Sequence, residues 1–348
     1  MSLEFDKGRL VKLTSEGLYC AKGGFYIDPK RKVDEALITH GHSDHARYGM
    51  GAYLTTESGM NIVRERVGKY SKIQGLAFGE RLRIRDVIVS FHPAGHLLGS
   101  AQIRIESKNQ VCCVTGDFKV GADDSCEPFE LVHCDHLITE STFALPFYKW
   151  PKPETVFKEI NQWWRQNQAQ GKTSVLFAYA LGKAQRILCG LDPSIGPIGV
   201  HGSVHIFNEH YRAAGRPIPE TLRASQRTKS ELIGRGIIIA PGSTRNSNWL
   251  KQFSPASLSF ASGWMLVNGA LRRRGLDQGF VLSDHADWGE LLRTIKDSKA
   301  TSVGVTHGYT DVLSKWLVDK RQLDAYEMPP KSRRGYDNRQ SSFINELF

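Results

Sequence analysis

Thr39-His40-Gly41-His42-Ser43-Asp44-His45 sets three imidazoles and one carboxylate within six residues, and each of these side chains is a metal-ligand type. Neutral imidazole nitrogen together with carboxylate oxygen suits zinc or manganese, whereas magnesium takes oxygen ligands. A turn leaving a strand aims successive side chains in different directions. His40 and His42 can therefore serve one cation while Asp44 and His45 serve its neighbour. Two cations need more ligands than one turn supplies. His96 in Pro93-Ala94-Gly95-His96-Leu97-Leu98-Gly99, Asp117 in Thr115-Gly116-Asp117 and His307 in Thr306-His307-Gly308 each stand where a strand meets a glycine turn. They are expected to complete the ligand set. The chemistry of such a pair is hydrolysis, because it lowers the pKa of water from roughly 15.7 to about 7 and clamps both oxygens of an in-line displacement.

The elements that must position these residues follow from periodicity. Up to residue 140 the chain reads as short strands between Gly and Pro turns, over 10–13, 18–20, 25–28, 36–39, 83–90, 101–106 and 110–115. One helix, over 57–67, interrupts them. From Pro153 helix and strand alternate, with helices over 153–170, 183–191 and 204–214 and a strand over 174–179, which favours a parallel sheet covered by helices. A strand over 279–282, a helix over 288–296, a strand over 301–306 and a helix over 311–319 close the pattern.

With 348 residues, 40% hydrophobic and 24% charged, the chain is long enough for one large or two medium domains and far from a disordered composition. Apolar runs stop after a few residues, where a membrane span needs roughly 20, and Glu4 and Asp6 stand where a secretion signal would be basic. A cytoplasmic protein without a membrane partner is expected. Six cysteines include no C-x-x-C pair, and reduced thiols are expected. Forty-six Lys and Arg against 36 Asp and Glu leave a net charge of +10, which favours a polyanionic partner.

These motifs, in this order, resemble those of the metallo-β-lactamase superfamily and, within it, of the β-CASP nucleases. Asp28, ending Phe25-Tyr26-Ile27, resembles the family's first motif, a carboxylate that steadies the His-rich turn from behind the ligands. His96 and Asp117 match the third and fourth motifs, with Asp117 implied as the bridging ligand. Glu140 in Leu137-Ile138-Thr139-Glu140-Ser141-Thr142 resembles the acidic motif A. His285 in Ser283-Asp284-His285-Ala286-Asp287 resembles motif B, and His307 motif C. Ala180-Leu181-Gly182-Lys183-Ala184-Gln185 is similar to a helix start common in these nucleases. The resemblance runs from about residue 10 to residue 320. It implies an α/β fold, an αββα metallo-β-lactamase sandwich with an inserted α/β β-CASP domain. Residues 1–148 would form the first part of the core, 149–280 the β-CASP domain, 281–328 the second part of the core and 329–348 a basic polar tail, with the active cleft between core and insertion.

In length the chain is most similar to the bacterial ligase-associated DNA exonuclease family, often labelled mRNA 3′-end processing factor, which implies functional association with a DNA ligase and helicase. His307 at motif C is shared with the RNA-cleaving branch, whereas DNA interstrand-repair members usually carry Val. DNA is placed first as substrate, with a repair exonuclease acting on single-stranded or frayed ends. An RNA-processing nuclease is the alternative. A small-molecule metallohydrolase would explain the metal turn but not the insertion or motifs A and B.

The expected assignment gives His40, His42 and His96 to one cation, Asp44, His45 and His307 to the other, and Asp117 to both, with zinc ahead of manganese. Asp44, Asp117, Glu140 and His285 are the expected catalytic set, His285 being held by Glu140 in the tautomer that protonates the leaving oxygen. Lys183, Arg186, Arg272, Arg273 and Arg274 are expected to track the nucleic-acid backbone. Trp163 and Trp164 are read as the apolar face of the helix at Pro153 ahead of a base-stacking role. His133-Cys134-Asp135-His136 is assigned no metal.

Overall fold

A computed structural model describes residues 8–267 and 275–328. In chain order these begin with β1 (Val11–Leu13), β2 (Leu18–Cys20), β3 (Phe25–Ile27), β4 (Glu35–Leu37), β5 (Ala52–Thr56), α1 (Met60–Val67) and β6 (Ile73–Leu76). The six strands form one sheet in sequential order, an antiparallel meander to β3 and parallel from β3 onward. β7 (Leu82–Ile84), β8 (Val87–Pro93), β9 (Ala101–Ser107), β10 (Gln110–Val114) and β11 (His136–Ser141) start a second sheet. The single strand expected over 83–90 is instead the hairpin β7–β8. Arg85 at its tip adopts φ +49, a left-handed conformation that reverses the chain within an otherwise alternating stretch.

The intervening segment carries α2 (Pro153–Ala169), β12 (Thr173–Phe177), α3 (Lys183–Gly190), β13 (Ile198–Val200), α4 (Gly202–Ala213), β14 (Leu222–Arg223), α5 (Lys229–Leu232), β15 (Ile237–Ala240), α6 (Asn248–Lys251), β16 (Ala256–Ala261) and β17 (Gln278–Phe280). Its sheet, ordered β14-β13-β15-β12-β16-β17, is parallel throughout. β12 and β15 are buried along their whole length, as parallel strands covered on both faces must be. Pro153 opens α2 with its preset φ, and Trp163 and Trp164 lie on the buried face of that helix. Trp164 Nε1 donates to Arg235 O at 3.0 Å, so its polar edge is satisfied in the core. Neither ring is presented to a ligand.

The chain then continues with α7 (Trp288–Asp297), β18 (Ser302–Gly308), α8 (Thr310–Arg321) and β19 (Asp324–Glu327). β18 and β19 join the second sheet, giving the order β19-β18-β11-β10-β9-β8-β7. The described chain thus falls into two compact units, one running to Lys149 and resuming at His285, the other Trp150–Asp284.

Within the first unit the layers can be read from the cores. Phe25, Ile27, Leu37 and Leu54 of the first sheet share one cluster with Val89, Phe91, Ile103, Ile105 and Val114 of the second. The outer face of the first sheet packs Ala36 and Tyr53 on Val63 and Val67 of α1. That of the second packs Leu137, Val303 and Val305 on Leu291 and Ile295 of α7 and Leu313 and Leu317 of α8. Adjacent Cys112 and Cys113 accordingly belong to different clusters, one on each face of β10. His136 is buried in β11, where its Nε2 lies 2.8 Å from Tyr326 Oη, and burial lowers its pKa to about 4. Among the described residues no helix is long and apolar enough to cross a membrane.

Candidate metal centre

Strand direction gathers the ligand-type residues. β10, β11 and β18 are parallel, and β8 is antiparallel to β9, which is antiparallel to β10, so all four end at one edge of the sheet. His96 follows β8, Asp117 follows β10, Glu140 is the penultimate residue of β11, and His307 that of β18. The His-rich turn arrives from the first sheet, two residues beyond β4. Gly116, at φ +57, lets the Asp117 loop close on that turn, since a Cβ there would stand 2.7 Å from Thr39 Cβ. Gly95, at φ +72, lets the His96 loop close on the segment that follows Asp117, where a Cβ would collide with Lys119 O.

Asp28 sits beneath the turn and accepts three hydrogen bonds from it. Thr39 N donates to Oδ1 at 2.9 Å, Thr39 Oγ1 to Oδ2 at 2.6 Å, and His45 Nδ1 to Oδ2 at 2.7 Å. The Thr39 hydroxyl has one proton and gives it to Asp28, so its 3.0 Å contact with His40 Nδ1 is made by the ring N–H. His40 is fully buried and flanked by three other imidazoles, and burial first of all holds its pKa well below the usual value. It is therefore neutral, with the lone pair of Nε2 turned into the cluster. Thr39 was not among the residues singled out from the sequence; its place immediately before His40 was the available signal.

Three nitrogens and an oxygen converge there. His42 Nδ1 lies 3.1 Å from both His40 Nε2 and His96 Nε2, while Asp117 Oδ2 lies 3.6 Å from His40 Nε2 and 3.7 Å from His96 Nε2. Tetrahedral ligands at about 2.05 Å from a zinc ion would be about 3.3 Å apart. The donor set and its spacing fit such a cation, and the four residues form a group able to hold one.

Asp117 also faces a second set. Its Oδ1 is 2.9 Å from His307 Nε2 and its Oδ2 3.6 Å from His45 Nε2, which is itself 3.6 Å from Asp44 Oδ2. Burial opposes a charge on His45, but Asp117 and Asp28 outweigh it and push its pKa up to about 10. The same cluster of imidazoles holds the buried Asp117 carboxyl well below its ordinary range against the cost of burial. A carboxylate flanked on both sides by nitrogen donors is what a shared ligand requires.

Glu140, 1% exposed, accepts the Phe118 N–H at 2.8 Å and the Thr142 hydroxyl, and stands 2.9 Å from His285 Nδ1. Asp287 caps α7 through a reciprocal pair with Glu290, and Ala286 N donates to Phe118 O at 2.7 Å, so the backbone on the C-terminal side of His285 is held. Asp117, Glu140 and His285 form a second group of ligand type, but there Nδ1 of the imidazole is already committed to Glu140.

Two expectations need correction. Lys183 and Arg186 are buried, each 4% exposed, and are not surface cations. Lys183 Nζ pairs with Asp284 Oδ2 at 2.8 Å and Arg186 Nη1 with Asp284 Oδ1 at 3.3 Å, while the Arg186 guanidinium also donates to Ser283 O. A cation this deep needs a carboxylate partner, and Asp284 supplies it, so neither head group is presented to a phosphate backbone. Arg272, Arg273 and Arg274 lie outside the described residues. Asp284→Ala should destabilise the Trp150–Asp284 unit by about 3–5 kcal/mol, because two buried cations lose their shared carboxylate. Urea unfolding of the full chain measures it, and a shift below about 1 kcal/mol would show the pairs to be energetically idle.

No protein-family model matches the chain. Among curated proteins, a "Probable DNA ligase" of Opitutus terrae is 30% identical over 314 residues, 90% of this chain and 30% of that protein. An "RNase J-like protein" of Methanocaldococcus jannaschii is 25% identical over 54% of this chain and 50% of its own length. "Cleavage and polyadenylation specificity factor 73" of Drosophila melanogaster is 27% identical over 45% of this chain and 24% of its own length. The chain thus spans half or less of each of these relatives. A crystal structure of a protein of unknown function from Enterococcus faecalis shares the fold, with a TM-score of 0.57 at 11% identity, over 78% of this chain and 74% of that one. The chain gathers its His-rich turn, His96 and His307 around the Asp117 carboxylate, and its homologues are metallo-β-lactamase nucleases of the β-CASP type.

Proposed function

We propose that this protein is a two-metal phosphodiester hydrolase, a DNA exonuclease of repair acting on single-stranded or frayed ends. The observation that carries the reading is Asp117, whose carboxylate stands among the nitrogens of His40 and His96 on one side and of His45 and His307 on the other. His40, His42 and His96 would hold one divalent cation, Asp44, His45 and His307 the other, with Asp117 shared; the N/O donor set suits zinc first and manganese second. When bound, the cations supply a water of lowered pKa and neutralise charge on the phosphate. Asp28 orients the turn through Thr39 and His45, as a carboxylate behind ligating imidazoles does. Glu140 holds His285 Nδ1, so the other ring nitrogen is the one that hands a proton to the leaving oxygen.

The layers of helix, sheet, sheet and helix support an αββα sandwich for the first unit, and the parallel α/β unit Trp150–Asp284 is read as the β-CASP insertion. DNA is favoured because the relative that aligns with 90% of this chain is named for DNA ligation, which also favours functional association with a ligase; association with a helicase rests on the family resemblance alone. RNA is the second reading, favoured by the ribonuclease names of other relatives and by His307 at motif C.

The test incubates the purified chain, loaded with zinc or manganese, with end-labelled single-stranded DNA, duplex DNA and RNA. Progressive shortening of single-stranded DNA, abolished by EDTA, is expected. Shortening of RNA alone would replace the first reading by the second, and no cleavage of any nucleic acid would overturn both.

A further inference from the structure

The first unit contains a cavity of about 520 Å³ next to the His-rich turn but separate from the clustered imidazoles. Its walls come from three places: Lys30, Arg31 and Lys32 between β3 and β4, the segment from Ser43 to Met50, and Arg66 of α1. Lys30, Arg31, Lys32, Arg47 and Arg66 give it five cations against one carboxylate, Glu65. Among the described residues no carboxylate forms an ion pair with Lys30, Arg31, Lys32 or Arg47. Cations that line one concavity together raise the local concentration of an anion there. This is the phosphate-binding chemistry that the buried Lys183 and Arg186 do not offer.

The cavity is joined to the metal turn by the chain itself. Ser43, which lines it, stands between His42 and Asp44. Arg66 Nε donates to Gly41 O at 3.1 Å and Arg47 Nε to Asp44 O at 3.3 Å, so two of the cations brace the backbone that carries the ligands. Tyr48 lies at the cavity with 74% of its surface exposed, an aromatic face of the kind on which an unpaired base stacks. A cavity of this size holds a phosphate and part of its nucleotide.

We infer that this cavity binds a phosphate of the single-stranded substrate flanking the one that is cleaved, with Tyr48 stacking a neighbouring base. The inference rests on the nuclease reading and deepens it by giving the strand a path on the metal-bearing unit.

The test compares wild type with Lys30→Ala/Arg31→Ala, exposed positions whose replacement leaves the metal turn untouched, and with Tyr48→Ala. A control, Lys315→Ala/Lys320→Ala, removes the same charge from α8. Two readouts are taken on metal-loaded protein: fluorescence anisotropy with a labelled, cleavage-resistant phosphorothioate oligonucleotide, and steady-state cleavage of an ordinary oligonucleotide beside a bis(4-nitrophenyl) phosphate reaction. The double variant should weaken oligonucleotide binding about tenfold or more, and its salt slope should flatten by about 0.7 for each phosphate it no longer neutralises. The fall in kcat/KM should be at least tenfold greater on the oligonucleotide than on the small diester, and the control should match wild type. Oligonucleotides with and without a 5′ phosphate separate the sources: weakening confined to the phosphorylated strand assigns a terminal phosphate, equal weakening an internal diester. Wild-type affinity and salt slope in the double variant, with the small diester still hydrolysed, would overturn the cavity and leave the nuclease reading standing. Absence of all hydrolysis by wild type, with binding still weakened by the double variant, would overturn the activity and leave the cavity.

Discussion

Asp117→Ala should lower turnover on nucleic acid by about 10³-fold or more and remove at least one metal equivalent from the purified protein, since the metals are asked to supply several kcal/mol of barrier lowering. The expectation comes from where the carboxylate sits. Its two oxygens lie 2.9 Å from His307 Nε2 and 3.6 Å from the Nε2 atoms of both His40 and His45. Without it, His40 and His96 on one side and His45 and His307 on the other lose the carboxylate that stands between them, and a pair of cations would face each other across an uncharged gap. Elemental analysis alongside turnover makes the measurement. Full metal content and full activity in the variant would remove Asp117 from the centre altogether. A variant that keeps one metal but loses turnover would show that the two donor sets differ in affinity, and that both must be filled.

The second large effect concerns His285. His285→Ala should cost about 10² to 10⁴ in turnover on nucleic acid while metal content stays near that of wild type. The imidazole is fixed by Glu140, which itself accepts from Phe118 N and Thr142 Oγ1, so the proton donor is held by a carboxylate with no freedom to reorient. A nitrophenolate leaving group needs no proton, so bis(4-nitrophenyl) phosphate should lose little in the same variant. Glu140→Gln should fall between the two, because the amide oxygen still accepts from a ring N–H but carries no charge. Equal losses on both substrates would mean that His285 holds the loop together and transfers no proton. Loss of metal in His285→Ala would instead make it a ligand, in keeping with its position beside Asp117.

The ligand-type residues were legible before any fold because each carries a local signal. His40 to His45 are concentrated in one turn, and His96, Asp117 and His307 each neighbour a glycine that a tight exit from a strand needs. Such signals depend on a few adjacent residues, and backbone sterics act at that range. The strands over 110–115 and 101–106 and the helix at Pro153 were legible for the same reason, as each shows its period or its start signal within one element. The β7–β8 hairpin was not, because Arg85 gives no warning of a left-handed turn.

Residue types and local periods were thus determined by the sequence alone: a His- and Asp-rich centre of zinc-ligand character, a strand-rich first part, an alternating α/β segment and a surplus of ten positive charges. Which charges face water was decided only by the tertiary structure. Lys183 and Arg186 look like any exposed helix start, but in the structure both are buried and pair with Asp284, about a hundred positions further along the chain, at 101 and 98 residues respectively. Glu140 and His285 meet across 145 residues, and Asp117 and His307 across 190. The cationic cavity likewise combines segments near residues 31, 47 and 66, none of them unusual by itself. The physical reason is the same in each case. Dihedral preferences and hydrophobic period are properties of neighbours in the chain, whereas burial, ion pairing and ligand geometry are properties of neighbours in space, and these exist only once the sheets have stacked.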